Sequence, residues 1–549
     1  MIVNKSMFPL QTSFGVISKM QDKFATLQMQ LGTGEKASKL SEMGRDLPIS
    51  LSVRDRLSKI DGYSSNIDTV NLRLSFLDKS LTRFDKIEGE ARNAAVQGQY
   101  GTGGINMATL PGLSHARFDE VVTMLNEEVA GRYLFGGKIT DQAPLPTTDV
   151  LLKGASGQSG FEGAVEVRRD ADGVNDAYNA TTREAPGRLT LTGATNTVTL
   201  GEDGAGAHPF GFKISTSSTT AANTAVVITP SPATDPTKSL SVQFAGQPAV
   251  GNSISLGLTM PDGTETQIKL TATAESPAPH GSFTIGATPE ETAANFQAAL
   301  GSQLERTSKT ELRAASVFSA ANDFFHESGK PFMPAAGAKP ETLVSADGTY
   351  VQWYNGTVTP ANENPRSTVS TSIDDAARVN YGMEATESGF LRMIRSQAAL
   401  AVSSYTSEED VRSGLESVRT AAMAQPEGPL RTAALADYEK QVQDGYRLQT
   451  GFFDGMATRQ QAELSESHNS EKGSIEIITM DLGIARKSLE NATERHTAYQ
   501  SQLLDLLSDV ETVNKEDVAM EILALQTRLQ ASYQTTSMVS QLSLVNFLR

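Results

Sequence analysis

The sequence predicts an α+β fold in which both chain ends form a long antiparallel helical, coiled-coil rod and a β-rich outer domain is inserted between them. Three observations predict it. Apolar residues recur at helical spacing near each end, a long heptad ladder follows the N-terminal stretch, and the middle changes to short alternating runs rich in Thr, Gly, Ala, Ser and Asp. The boundaries read as 1–45 with 500–549 for terminal assembly helices, 46–137 with 374–499 for a helical rod, and 138–373 for the outer domain.

At the N-terminal end Ile17, Met20, Phe24, Leu27 and Leu31 keep a 3-4-3-4 spacing, the a/d pattern of a coiled-coil seam. At the other end Asp517 to Arg549 contains no proline or glycine. There Val518, Ile522, Leu525, Leu529 and Tyr533, then Met538, Leu542 and Val545, line one stripe of a helix. A buried Leu, Ile or Phe side chain contributes roughly 1.5–3 kcal/mol, and a helix draws most of its stability from packing such a face. These ends are therefore expected to fold against a partner. Neighbouring subunits would make them an assembly interface; the alternative is an N-to-C hairpin within one chain.

From Tyr63 the ladder Tyr63, Ile67, Val70, Leu74, Leu77, Leu81, Phe84 continues weakly through Ile87 and Ala91, so Leu47 to Val96 is expected to be one helix. At 1.5 Å per residue it would span on the order of 70 Å, which suits a rod. The Gly-rich stretch Gly98 to Gly112 is expected to be a loop, followed by a second helix with Phe118, Val122, Leu125 and Val129 on one face. LTLTGATNTVTL (Leu189 to Leu200) and ISLGLTMPDGTETQIKL (Ile254 to Leu270) alternate with period two, and Pro261-Asp262-Gly263 marks a hairpin turn. Thr288-Pro289-Glu290-Glu291 opens a helix with an N-cap, a first-turn proline and a capping-box glutamate, followed by Phe296, Leu300 and Leu304. A further strand pair is expected around Asp347-Gly348 and TYVQWY, which carries the only tryptophan, Trp353. Helix is expected again from Asp374, with Phe390, Met393, Ile394, Ala398 and Leu400 on one face, a break at Pro426, helix from Leu430 through Ala457, and a final run from Ile475 through Leu489, Leu503, Leu506 and Val510.

Composition narrows the function. With 549 residues the chain is long enough for about two to four domains. A net charge of −17 argues against nucleic acid and against an anionic membrane as partners. Without cysteine there is neither disulfide nor thiolate chemistry. The N-terminal stretch lacks the apolar region of a cleaved signal, and no apolar run is long enough to span a bilayer. The histidines His115, His208, His280, His326, His468 and His496 show no zinc-site spacing and read as solvent residues. Gly98, Gly101, Gly103 and Gly104 lack the Lys-Ser/Thr of a phosphate loop. Ser407-Glu408-Glu409-Asp410 reads as a helix cap, not a calcium or acid-base cluster. No catalytic residue, cofactor or metal is expected.

Three segments resemble the bacterial flagellin family. Ala524 to Arg549, ALQTRLQASYQTTSMVSQLSLVNFLR, looks like the end of flagellins and more so of the hook-filament junction branch. Arg117 to Gly137, RFDEVVTMLNEEVAGRYLFGG, resembles the segment where a helix closes the rod and the chain turns outward, and Tyr381 to Phe390, YGMEATESGF, resembles the re-entry point. The likeness covers roughly 1–140 and 380–549. Leu31 to Leu57 lacks the SSG and acidic pair usual in flagellins proper, and its TGE and following helix look more like the junction branch.

The resemblance implies a structural, non-enzymatic subunit at the hook-filament junction, exported through the flagellar type III channel without a cleaved signal. Its partners would be other copies in a ring, a neighbouring hook-associated protein and flagellin; no nucleic acid and no membrane. A dedicated export chaperone is expected as well, because bare apolar ends invite aggregation. Arg132, Tyr133, Phe135, Gly136 and Gly137 would form an elbow between rod and outer domain, or for Tyr133 and Phe135 simply core aromatics. Rival readings are a filament flagellin, or an enzyme or adhesin whose activity sits in the insert.

Overall fold

The structure, a computed structural model, describes residues 8–100, 103–179, 181–204, 207–221, 224–232 and 234–547, excluding the side chains of 8–11, 13, 95–100, 103–106, 540 and 542–547. The chain is mixed α and β, 55% helical. It divides into two compact units: residues up to Leu72, Thr371–Val379 and residues from Ala485 onward form the first, and Arg73–Ser370 with Asn380–Ile484 the second.

Helix α1 (Phe8–Thr33) leads through two short 3-10 turns to α2 (Leu47–Tyr100), and α3 (Gly103–Leu125) follows. In α2 the residues Ile67, Val70, Leu74, Leu77, Leu81, Phe84, Ile87 and Ala91 are all buried, as their heptad spacing requires. Most of the expected loop from Gly98 to Gly112 is helical instead. α2 runs on to Tyr100, α3 begins at Gly103, and Pro111 lies inside α3. An interior proline costs about 3 kcal/mol, and here it is offset by burial on either side, with Met107, Leu110, Phe118, Val122 and Leu125 all packed away from water. Val129, expected on the same helix, is buried but lies past its end. The Asn126 side chain ends the helix by accepting from the Leu145 amide at 2.9 Å and donating to the Leu145 carbonyl at 3.0 Å.

Two short helices, α4 (Thr148–Lys153) and α5 (Phe161–Ala171), flank a small hairpin of β1 (Gly154–Ala155) and β2 (Gln158–Ser159). Then come β3 (Glu184–Ala185), β4 (Leu189–Ala194), β5 (Thr197–Glu202), β6 (Lys213–Ala221), β7 (Val226–Pro230), β8 (Ser239–Phe244), β9 (Ser253–Thr259), β10 (Glu265–Thr273) and β11 (Ser282–Thr284). They form a five-stranded sheet, β3-β4-β5-β8-β7, and a four-stranded sheet, β11-β10-β9-β6. The alternating sequences read above are β4, β5, β9 and β10, and in each the apolar residues point to one core: Leu189, Leu191, Val198 and Leu200 from one sheet, and Ile254, Leu256, Leu258, Ile268 and Leu270 from the other. Pro261-Asp262-Gly263 lies in the turn between β9 and β10, where Thr259 pairs with Glu265.

Helix α6 (Pro289–Thr307) closes this core with Phe296, Leu300 and Leu304, all fully buried. Phe296 stacks edge-on against Phe244 and Phe283, with ring centres 5.4 and 5.3 Å away. Thr288 caps α6 by accepting from the Glu291 amide at 3.3 Å. The expected reciprocal bond from Glu291 goes one residue further back, to the Ala287 amide at 2.7 Å. A π-helical turn, Ser308–Leu312, joins α6 to α7 (Arg313–Phe324).

Beyond α7 the strands are short: β12 (Phe332–Pro334) with β13 (Leu343–Ser345), and β14 (Ser370–Ser372) with β15 (Arg378–Asn380). TYVQWY is not a strand. Its aromatics pack on the end of helix α7, Tyr350 against Phe324 and Trp353 against Phe325 just past the last turn, and the Trp353 indole donates to the His326 carbonyl at 3.1 Å. Strand propensity is a fit to a pleated surface, and here the rings find the end of a helix instead. Nor does helix return at Asp374. The Asp374 carboxylate accepts from the next amide at 2.8 Å, and the Ile373 amide donates to the Ala377 carbonyl at 3.0 Å to close a turn, the local bonding by which aspartate favours turns.

Helix resumes with α8 (Ser388–Ala401), whose face of Phe390, Met393, Ile394, Ala398 and Leu400 is buried. After it come α9 (Glu408–Gly414), α10 (Glu416–Met423), α11 (Pro429–Glu463), α12 (Ile475–Glu511) and α13 (Lys515–Phe547). Ser407 and Asp410 form a reciprocal capping box on α9, the role read for that acidic run.

Candidate assembly helices and chain crossover

In the first unit α1 and α13 lie antiparallel. Ile17 and Leu27 of α1 join Val518, Leu525 and Leu529 of α13 in one buried cluster, with Met20, Phe24 and Ile522 packed against it. Gln21 donates to the Tyr533 hydroxyl at 2.6 Å, and Lys23 pairs with Glu521. At the open end the chain pairs with itself as extended backbone: the Lys36 amide donates to Glu511 at 2.7 Å and the Val513 amide to Gly34 at 2.9 Å. These bonds break α1 from α2 and α12 from α13 at the same level. The two apolar stripes therefore meet within one chain, the hairpin alternative, because the return of α13 brings its stripe alongside that of α1.

Not every residue of the stripes is used up in this way. Leu31, Tyr533 and Met538 are exposed at 37%, 47% and 55%, and the side chains of Leu542 and Val545 lie outside those described. Other large apolar side chains on these helices also face solvent: Phe14 and Val16 on α1, and Met520, Leu523 and Val539 on α13. Met520 and Leu523 are exposed at 63% and 64%, more than a helix needs to spend on water once its own hairpin is formed. The a/d rule picked out the seam inside the chain. The exposed face falls one or two residues away from it, a signal that a single-stripe reading passes over.

Further along the same unit, Val53 and Ile60 of α2 pack with Leu503 of α12, and Arg54 binds Glu511 bidentately at 2.8 and 2.6 Å. His496 is buried, stacked 5.7 Å from the Tyr63 ring and bonded to the Ile373 carbonyl at 2.6 Å. His208, in the second unit, is buried beside Asp203 at 3.1 Å. These two correct the expectation of solvent histidines: each has an apolar ring that packs and a nitrogen that finds an acceptor.

In the second unit the segments GRYLFGG and YGMEATESGF come together. The Gly137 amide donates to Met383 at 2.9 Å and the Ala385 amide to Phe135 at 3.0 Å, so the outgoing and returning chain form a short antiparallel pair. Phe135 is fully buried in a cluster with Phe84 of α2 and Phe390 of α8, at ring distances of 5.9 and 5.4 Å. The Tyr354 hydroxyl donates to the Phe135 carbonyl at 3.1 Å. Gly136 cannot carry a side chain, because a Cβ would stand 2.2 Å from the Ile139 carbonyl oxygen; Gly137 has φ +62°. Of the five residues read as the elbow, Arg132 is exposed and Tyr133 half-buried, so the packing rests on Phe135 and the two glycines.

Sequence reading missed the charges behind this pair. Glu384 is buried, and accepts from the Thr359 amide at 2.9 Å and hydroxyl at 2.5 Å. Glu387 is buried in an ion pair with Arg366 and accepts from the Glu384 amide at 3.0 Å. Burial raises both carboxyls above their usual range, while Arg366 pulls against the shift at Glu387. The two glutamates lie within the quoted motif; Arg366 has no local signal at all. A cleft of 560 Å³ opens alongside, lined by Glu384, Glu387, Leu391, Lys472 and Ile477 among others. Lys472 spans it by donating to the Ala361 and Glu363 carbonyls at 2.6 and 2.7 Å.

A third carboxyl stands out. Glu88 of α2 is pushed up to about 7, first by burial and then by Glu476. The folded state thus holds this proton more tightly than the unfolded chain, whose glutamate titrates near 4.5, so stability falls as pH rises between those values. Glu88→Gln is expected to gain about 1–2 kcal/mol at pH 8, after allowance for solvent screening, and to leave pH 4 unchanged. Denaturant melts at the two pH values check it; an equal effect at both would refute the assignment.

Among the described residues no cluster of His, Asp and Glu could hold a metal, and no helix is long and apolar enough to cross a membrane. No protein-family model matches this chain, and no curated protein matches it in sequence.

Proposed function

We propose that this chain is a structural subunit of the bacterial flagellum, of the hook-filament junction type, and that it works by packing rather than catalysis. In this reading both chain ends form a long antiparallel coiled-coil rod, and the β-rich insert, 138–373, is its outer domain. The observation that carries the proposal is the exposed apolar face that α1 and α13 keep after pairing with each other, with Phe14, Val16, Met520, Leu523 and Val539 in water. Large apolar side chains left in water on a helix pair mark an interaction surface, and copies of the same chain and neighbouring axial subunits, a hook-associated protein and flagellin, would cover it. The motif likeness at GRYLFGG and the C-terminal segment supplies the flagellar context. Export through the flagellar type III channel, with a chaperone shielding the terminal helix beforehand, accounts for the same exposed face before assembly.

Immunogold labelling of intact flagella, with antibody raised against 138–373, tests the proposal. Gold at a single spot between hook and filament is expected. Gold along the whole filament would make the chain a flagellin instead, and flagella free of gold would overturn the reading.

A further inference from the structure

Four carboxylates are buried among the described residues: Asp172, Asp203, Glu384 and Glu387. Three of them meet an arginine, as the cost of desolvating a charge demands. Asp172 pairs with Arg168 at 3.0 Å, Asp203 with Arg188 at 2.6 Å, and Glu387 with Arg366.

Glu384, 1% exposed, has no such partner. Its carboxylate is held by the amide and hydroxyl of Thr359 at 2.9 and 2.5 Å, neutral donors that orient a charge without cancelling it. Arg366 attracts it only from beyond ion-pair reach.

This carboxyl lines the 560 Å³ cleft beside the crossover, a volume within the range of small-ligand sites, roughly 300–1,000 Å³. The walls come from the loop after α7, the loop over 358–365, the start of α8 and the first two turns of α12. Val358, Pro360, Leu391 and Ile477 make them apolar in part, and Glu327, Glu363 and Asp481 add carboxylates to Glu384 and Glu387. Among the described residues Glu327, Glu363 and Asp481 have no ion pair. Lys472, the one lysine in the lining, gives its hydrogen bonds to the backbone carbonyls of Ala361 and Glu363, at 2.6 and 2.7 Å. His326 lines the cleft as well, and burial lowers its pKa, which favours the neutral ring at pH 7.

A purely structural role for Glu384 is a neutral acid clasped by Thr359. That role leaves unexplained why three further carboxylates surround the same cavity with no cation set between them. No group of three of these acids is placed to hold a metal ion, and the apolar stretches of wall suit carbon better than water. The missing partner is therefore an organic cation.

We propose that this cleft binds an amine carried on an aliphatic stem, with the ammonium group at Glu384 and the stem along Val358, Leu391 and Ile477. A free alkylamine and the lysine side chain of a polypeptide share that chemistry.

Isothermal titration calorimetry on the full chain tests this with n-pentylamine and with N-acetyl-lysine methylamide, each against 1-pentanol at matched ionic strength. At least one amine is expected to bind saturably at a single site, about tenfold or more tighter than the alcohol. Tighter binding of pentylamine assigns a free amine, and tighter binding of the lysine derivative a lysine presented by a polypeptide. Glu384→Gln keeps an acceptor for the Thr359 amide and removes the buried charge, so it is expected to melt no lower than the parent at pH 7 and to lose about tenfold or more in affinity. Glu363→Gln with Asp481→Asn, at positions without ion pairs, should leave the melt unchanged and weaken binding about threefold or more. If neither amine saturates, or if 1-pentanol binds as tightly, the cleft is not a cation site. Parent-like affinity in both variants would place the amine elsewhere and overturn the proposal.

Discussion

Replacing both Leu525 and Leu529 with aspartate is expected to separate α13 from α1 and to abolish incorporation into flagella, while the second unit keeps its melting behaviour. The two leucines are 6% and 8% exposed, in the centre of the cluster that joins the terminal helices. Losing their transfer energy costs roughly 1.5–3 kcal/mol for each side chain, and the new carboxylates add the penalty of unpaired buried charge. The sum exceeds what an isolated helix pair can supply, so α1 and α13 should both lose amide protection in hydrogen exchange. Met520→Asp with Leu523→Asp provides the contrast. Those side chains already stand in water, so the hairpin should keep its protection while incorporation fails. Normal incorporation of the Met520/Leu523 variant would remove the basis for assembly through the exposed face. Unchanged protection in the Leu525/Leu529 variant would contradict the packing itself.

The second large effect is expected at the crossover. Arg366→Ala should destabilise the second unit by about 3–5 kcal/mol at neutral pH, because it leaves Glu387 as a buried carboxylate without its counter-charge. The pH dependence gives the cause away. Glu387 already has a raised folded-state pKa, and removing the cation raises it further. A carboxyl that holds its proton more tightly when folded loses stability as pH rises from its unfolded value through its folded one. The deficit of the variant should therefore be largest above the raised pKa and shrink toward pH 4.5, where the neutral acid needs no partner. Denaturant melts across that range would show it; a deficit independent of pH would mean that Arg366 acts through packing alone.

Several elements of the fold were legible in the residues because their cause is local. The heptad ladder of α2 buries a single face whatever it packs against, so Ile67 through Ala91 could be placed inside by spacing alone. Thr288 and Pro289 start α6 through bonds that span only three residues, and Asp262-Gly263 turns β9 into β10 within five. Where the local signals were misleading, a distant partner had outweighed them. Pro111 would end a helix in isolation, yet α3 continues through it because Met107 and Phe118 are both buried on its core face. The aromatics of TYVQWY would suit a strand, yet Phe324 at the end of α7 and Phe325 just past it offer them a surface to pack on.

The same division holds for the candidate sites. Spacing in the sequence by itself determined that Ile17, Leu27, Val518, Leu525 and Leu529 lie on apolar helix faces, and the motif likeness singled out GRYLFGG and YGMEATESGF. Only the tertiary structure decided what those features meet: the two stripes close on each other, Gly137 pairs with Met383, and Arg366 finds Glu387. Periodicity reports that a face leaves water, because the helix repeat is a property of the backbone. It carries no record of the partner, because apolar burial is non-directional and an ion pair between distant residues exists only once the chain has brought both charges to one place.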